Sequence, residues 1–160
     1  MRISLIGAGR VATHLGRVLL KRGHEIVQVY SRDVNHAEAL ASGISADAVS
    51  EIAQLNTDID LAIIAVSDQA ISQVIEQLSN VLNDVLIVHT SGSTNLSVLT
   101  QYHSRSGVFY PLQTFTKGKA VDFKTIPICI ETEFSADLKI LKKISIISKI
   151  SERIIVLIAS

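Results

Sequence analysis

The strongest constraint on this chain is the stretch from position 3 to position 16, ISLIGAGRVATHLG. A short apolar run, residues 3–6, meets Gly7-Ala8-Gly9 and passes directly into a helical pattern. Val11, Leu15, Val18 and Leu19 recur at helical spacing and share one face, while Thr13, His14, Arg17 and Lys21 lie elsewhere. Gly23 follows as the residue expected to end that helix. Few arrangements let a strand turn into a helix through two glycines. Gly7 permits the tight turn, Gly9 leaves backbone N–H groups open to a ligand, and Ala12 lets the helix lie close on the strand. In that setting Gly-x-Gly-x-x-Ala predicts a dinucleotide pyrophosphate at the positive end of the helix, with Gly7, Ala8, Gly9, Arg10 and Val11 around it. The rival reading is a glycine turn with a purely structural role. For Arg10 the rival is a side chain in solvent.

The rest of the chain alternates between the two periodicities. Strands are predicted at Glu25–Tyr30, 60–66, 85–89, 107–110, 126–130 and 153–158, and helices at 34–41, 69–78, 95–100 and 136–147. Residues 46–54 are a weaker zone with room for a short strand and a short helix. Residues 60–66, DLAIIAV, are nearly all apolar, the pattern of a central parallel strand covered on both faces. Ser67 or Asp68 is expected to cap the helix that follows, and Ser135 the last one. Pro111 is expected to stop its strand, and Pro127 to mark a strand edge or start. Residues 112–123 form the longest irregular stretch. Such alternation predicts a single doubly wound α/β domain over residues 1–160, with a mainly parallel sheet of the Rossmann type. Right-handed crossovers then bring the loops 7–10, 31–33, 67–69 and 90–94 to one edge of the sheet.

Composition removes several classes of function. With 48% hydrophobic and 19% charged residues the chain is globular, and 15 basic residues balance 15 acidic ones. That balance argues against nucleic acid or an anionic membrane as a partner. No apolar run is long enough to span a bilayer, and the first is too short for a signal peptide. The single cysteine, Cys129, suits a reducing, cytoplasmic setting. No metal site is expected, because the histidines and the cysteine lack ligand spacing. Neither a hydrolase nucleophile elbow nor a Walker lysine is present.

The second strand carries the cofactor preference. An acid at its tip would bind the ribose 2′-hydroxyl of NAD, but here it ends Tyr30-Ser31-Arg32. A hydroxyl and a guanidinium suit a 2′-phosphate, so NADP is expected over NAD. Asp33 reads as the cap of the next helix, and the rival for Arg32 is a solvated helix-start residue. The polar loop after residue 89 is the place for a substrate. Ser91 and Ser93 could hydrogen-bond a carboxylate or carbonyl, Gly92 allows close approach to a nicotinamide, and His89 could act as an acid. Against this stand a helix cap with a turn glycine, and a satisfied core histidine.

Four segments in order, residues 7–12, 65–68, 89–93 and 110–115, carry a resemblance over nearly the whole chain. Together they resemble the Rossmann-like domain of NADP-dependent oxidoreductases that carry a C-terminal domain of unknown function. Those proteins are similar to pyrroline-5-carboxylate reductases, ketopantoate reductases and β-hydroxyacid dehydrogenases. The resemblance implies that residues 7–11 hold the pyrophosphate and Ser31 and Arg32 the 2′-phosphate. It also implies that Val66 and Ser67 flank the nicotinamide half of the cofactor and that Ser91 and Gly92 border the substrate pocket; Ala65 and Gln113 are further candidates for the cofactor and the substrate respectively. Its members continue into a helical domain that closes the pocket and dimerises, and residues 1–160 are expected to lack it. The implied function is hydride transfer to or from a small carbonyl, imine or hydroxy acid. The alternatives are a non-catalytic NAD(P)-binding or redox-sensing module and, more remotely, an adenosylmethionine-dependent methyltransferase. Catalytic residues are not assigned by sequence.

Overall fold

A computed structural model describes residues 1–112 and 126–145 in full and residues 154–158 by their backbone. The strands are β1 (Arg2–Ile6), β2 (Glu25–Tyr30), β3 (Asp47–Val49), β4 (Leu61–Ile64), β5 (Leu86–His89), β6 (Ser106–Pro111), β7 (Ile128–Thr132) and β8 (Ile154–Ile158). The helices are α1 (Arg10–Lys21), α2 (Val34–Gly43), α3 (Asp68–Ser79), the one-turn α4 (Ser97–Thr100) and α5 (Ser135–Ser145), with a 3-10 turn at Ile52–Gln54.

The apolar runs explain the layering. Every residue of β4 is buried, and its side chains divide between two cores. Leu61 and Ile63 pack with Leu15 and Leu19 of α1, Leu40 of α2 and Leu141 of α5. Ala62 and Ile64 pack with Ile71, Ile75 and Leu78 of α3 and Leu99 of α4. A strand covered on both faces needs apolar residues along its length; β4 supplies them at every position and β5 at all but its last, His89. The sheet order is β3-β2-β1-β4-β5-β6-β7-β8, and β6–β7 is its antiparallel pairing. The order reverses between β1 and β4, where such folds open a crevice at the carboxyl ends of the strands.

Helix ends follow local chemistry. After α1, Gly23 adopts φ +89°. Its N–H donates to the Leu20 carbonyl and that of His24 to the Leu19 carbonyl, closing the helix with a paired C-terminal motif. The doubly wound, mainly parallel fold is as expected, and the differences are local. β6 stops at Pro111 as expected, with the proline itself its last residue, in register with Ile128. Pro127 precedes β7, an interior strand, so it marks a start and not an edge. Much of the irregular stretch 112–123, the helix end beyond 145 and position 153 lie outside the described residues. Among the described residues no helix is long and apolar enough to cross a membrane.

Candidate functional site

At the carboxyl edge of the sheet the backbone ladder runs on past the strands. Gly7 N–H donates to the Tyr30 carbonyl and Ala65 N–H to the Ile6 carbonyl, each at 2.8 Å. The β1–α1 turn is thereby pressed against the end of β4. Gly7 has φ +122°, and a Cβ there would lie 2.2 Å from the Ala65 carbonyl oxygen. Two positions on, Gly9 faces open space, with nothing within 4 Å of where a Cβ would stand. It is the N-cap of α1 and contributes no side chain to the helix start. N–H groups of a first helical turn need partners from outside the helix, and here they border an open groove.

That groove has a cavity of about 390 Å³ walled by Gly7, Ala8 and Gly9 on one side and by Tyr30, Ser31 and Arg32 on another. Ala65, Val66 and Ser67 close a third side, and Ala70, Gln73, Val74 and Gln77 of α3 complete it. Arg10 is exposed at the head of α1, while Val11 packs against the core. Neither side chain borders this cavity, so Val11 offers a ligand its backbone alone. Sequence reasoning missed Tyr30 and the α3 side chains. The one available signal was the spacing of Gln73, Val74 and Gln77 on a single helix face.

The tip of β2 leads directly into α2. The Asp33 carboxylate accepts the Asn35 N–H at 2.9 Å as the N-cap and lies 3.9 Å from His36. Asp33 is thus engaged locally, and Ser31 and Arg32 are the tip residues left to the groove. Among the described residues, the ion pairs do not include Arg32.

At the end of β5 the polar loop folds into a hydrogen-bonded cluster. His89 is fully buried, and its Nδ1 accepts the Ser91 N–H at 3.1 Å. Its Nε2 therefore carries the proton, and that atom has no hydrogen-bond partner. Burial lowers its pKa from the ordinary imidazole value, against smaller opposing effects of the Thr94 backbone and Asp68, so the ring is neutral. Ser93 Oγ donates to Asp68 Oδ2 at 2.6 Å, and Thr94 Oγ1 donates to Ser91 Oγ at 2.9 Å. Ser67 is the N-cap of α3 without a side-chain bond, and Asp68 turns to the β5 loop instead. Gly92 lies against the Tyr110 ring, whose Cε1 would be 2.3 Å from a Cβ at that position. The structure thus joins His89, Ser91 and Ser93 with Asp68, which the sequence offered, alongside Ser67, as a helix cap. Gln113 lies outside the described residues.

Residues 2–92 match the model of the family described as NADP oxidoreductase, coenzyme F420-dependent. The L-aspartate dehydrogenase of Methanothermobacter thermautotrophicus is 29% identical over 94 residues, which cover 55% of this chain and 35% of that enzyme. A crystal structure from Bacteroides fragilis, of a protein designated an NADP oxidoreductase, superposes with a TM-score of 0.87 and 36% identity. The match covers 99% of this chain and 60% of that one. A pyrroline-5-carboxylate reductase from Coxiella burnetii has a TM-score of 0.74 at 15% identity over 99% of this chain and 58% of its own, a likeness of fold. The chain spans about a third of the curated relative and three fifths of the Bacteroides protein.

Proposed function

The chain belongs to the family of NADP oxidoreductases described as coenzyme F420-dependent, and from that premise we propose that it is the NADP-binding domain of an oxidoreductase acting on a small carbonyl, imine or hydroxy acid. The observation that carries the reading is the groove in which an open helix N-terminus at Gly9 faces Ser31 and Arg32 across a cavity of about 390 Å³. Pyrophosphate would take the N–H groups at the head of α1, and a 2′-phosphate the Ser31 hydroxyl and Arg32 guanidinium. NADP is preferred over NAD because the one acid near this tip, Asp33, is engaged in capping α2. Ala65, Val66 and Ser67 would carry the cofactor toward the β5 loop, where His89, Ser91, Gly92 and Ser93 would meet the substrate. A bound nicotinamide supplies the redox chemistry, and the protein supplies position and electrostatics.

The test is a calorimetric titration of the folded chain with NADPH, NADH, coenzyme F420 and adenosylmethionine. NADPH is expected to bind most tightly, and Arg32→Ala to weaken it about tenfold with little change for NADH. A folded sample that binds NADH as well as NADPH overturns the NADP preference. One that binds neither overturns the reading.

A further inference from the structure

We propose that the Asp68 carboxylate, held by Ser93 beside the end of β5, is the recognition point for a positively charged nitrogen, a protonated amine or iminium, on the substrate. The proposal rests on the dinucleotide reading above, since Asp68 follows Ser67 of the groove wall. It narrows that reading from three substrate chemistries to one.

The argument is one of hydrogen-bond direction. Ser93 has a single hydroxyl proton and gives it to Asp68 Oδ2 at 2.6 Å. Ser91 Oγ lies 3.4 Å from Ser93 Oγ, and because the Ser93 proton is already given away, the Ser91 proton has only Ser93 Oγ or the Asp68 carboxylate to go to within the cluster. Ser91 Oγ in turn accepts the Thr94 hydroxyl at 2.9 Å and the Ser93 N–H at 3.3 Å. Every hydroxyl proton of this serine–threonine cluster is therefore spent inside it, in a chain that runs from Thr94 toward Asp68. What the cluster offers a ligand is oxygen lone pairs and one negative charge. A substrate carbonyl finds no free hydroxyl donor here, and a carboxylate meets like charge. A nitrogen cation brings both the donors and the opposite charge.

Three further observations agree. The bonds from Ser93 and then Ser91 hold the Asp68 carboxyl below the usual carboxylate range, so it is ionised at neutral pH. His89, the one titratable group whose charge bears on Asp68, is neutral and does not supply the missing charge. Among the described residues no lysine or arginine pairs with Asp68, and its side chain is exposed to an incoming ligand. The chief rival ligand is a ribose hydroxyl of the cofactor, which brings donors without charge.

The test uses the full chain, checked for folding by circular dichroism, with three probes of one ring size: pyrrolidine (protonated at pH 7), cyclopentanol and cyclopentanecarboxylate. Saturation-transfer NMR is run with and without NADP+, and NADP+ affinity is measured by calorimetry. Pyrrolidinium alone is expected to receive saturation, at least fivefold less in Asp68→Asn, and in part again in Asp68→Glu. Asp68→Asn is expected to bind NADP+ within twofold of the parent. Equal pyrrolidinium signal in Asp68→Asn, or preference for the carboxylate, overturns the proposal. A tenfold loss of NADP+ affinity in Asp68→Asn also overturns it, by giving the carboxylate to the cofactor ribose. Failure of the parent chain to bind NADP+ strikes the dinucleotide reading instead, and the pyrrolidinium comparison still decides the role of Asp68.

Discussion

At Gly7 the backbone sits at φ +122°, and a methyl group would overlap the Ala65 carbonyl at 2.2 Å. Both facts oppose any side chain there, since neither the torsion nor a backbone carbonyl gives way cheaply. Gly7→Ala is expected to cost about 3 kcal/mol or more, measured by urea unfolding, and to abolish dinucleotide binding with the turn. Gly9 is different. Its φ is −83°, which alanine adopts freely, and the space above it is open. Gly9→Ala is expected to unfold within about 0.5 kcal/mol of the parent while binding NADPH about tenfold more weakly. A Gly9→Ala chain that binds normally would remove Gly9 from the pyrophosphate site. The two glycines thus separate what the turn needs to fold from what it needs to bind.

At the scale of elements, α2 depends on its cap. Asp33 accepts the Asn35 N–H, so Asp33→Ala is expected to lose about 1 kcal/mol in a urea titration, and Asp33→Ser to recover most of it. If Asp33→Ala unfolds like the parent, the carboxylate is not fixing the helix start and is free to face a ribose. This cap was legible in sequence, as were β1, β2, β4 and β5, because each of their signals is local: an apolar run, a glycine, a capping acid. Strand limits were less so. Residues 60–66 read as one apolar strand, but β4 is Leu61–Ile64, and Ala65 and Val66 turn away into the groove wall. The antiparallel β6–β7 pairing had no local signal either, since strand direction depends on the path between strands and not on either strand's periodicity. The same holds for the cluster at the β5 end. Asp68 and Ser93 stand 25 positions apart, and only the crossover through α3 brings them within 2.6 Å. In sequence the serines read as a polar loop and the aspartate as one of two candidate caps, with nothing local to join them.

Across the whole molecule, the three histidines with shifted titration all bind a proton less readily than usual. Burial is the first cause at His89, His24 and His14, and the charges of the N-terminus and Arg17 add to it at the latter two. The unfolded chain protonates these rings near pH 6.5, while the folded chain holds them neutral to lower pH. Between those limits the unfolded state binds more protons, so stability falls as pH falls. His89 contributes most, because it alone of the three is fully buried. Its share is a slope of up to about 1.4 kcal/mol per pH unit below pH 6.5. Asp68 acts in a separate window. Its carboxyl is held below the usual range, so the stability its bond to Ser93 adds is full above about pH 4 and is lost as pH falls from there through the lower value of the folded chain. Unfolding midpoints in urea are therefore expected to decline from pH 7.5 to 5.5. They should decline less steeply in His89→Asn, whose side-chain oxygen can still accept the Ser91 N–H but cannot titrate. An equally steep decline in that variant would place the missing proton elsewhere. A rise in stability on acidification would mean that His89 is charged in the fold, and the Asp68 site would then already hold a cation of the protein's own.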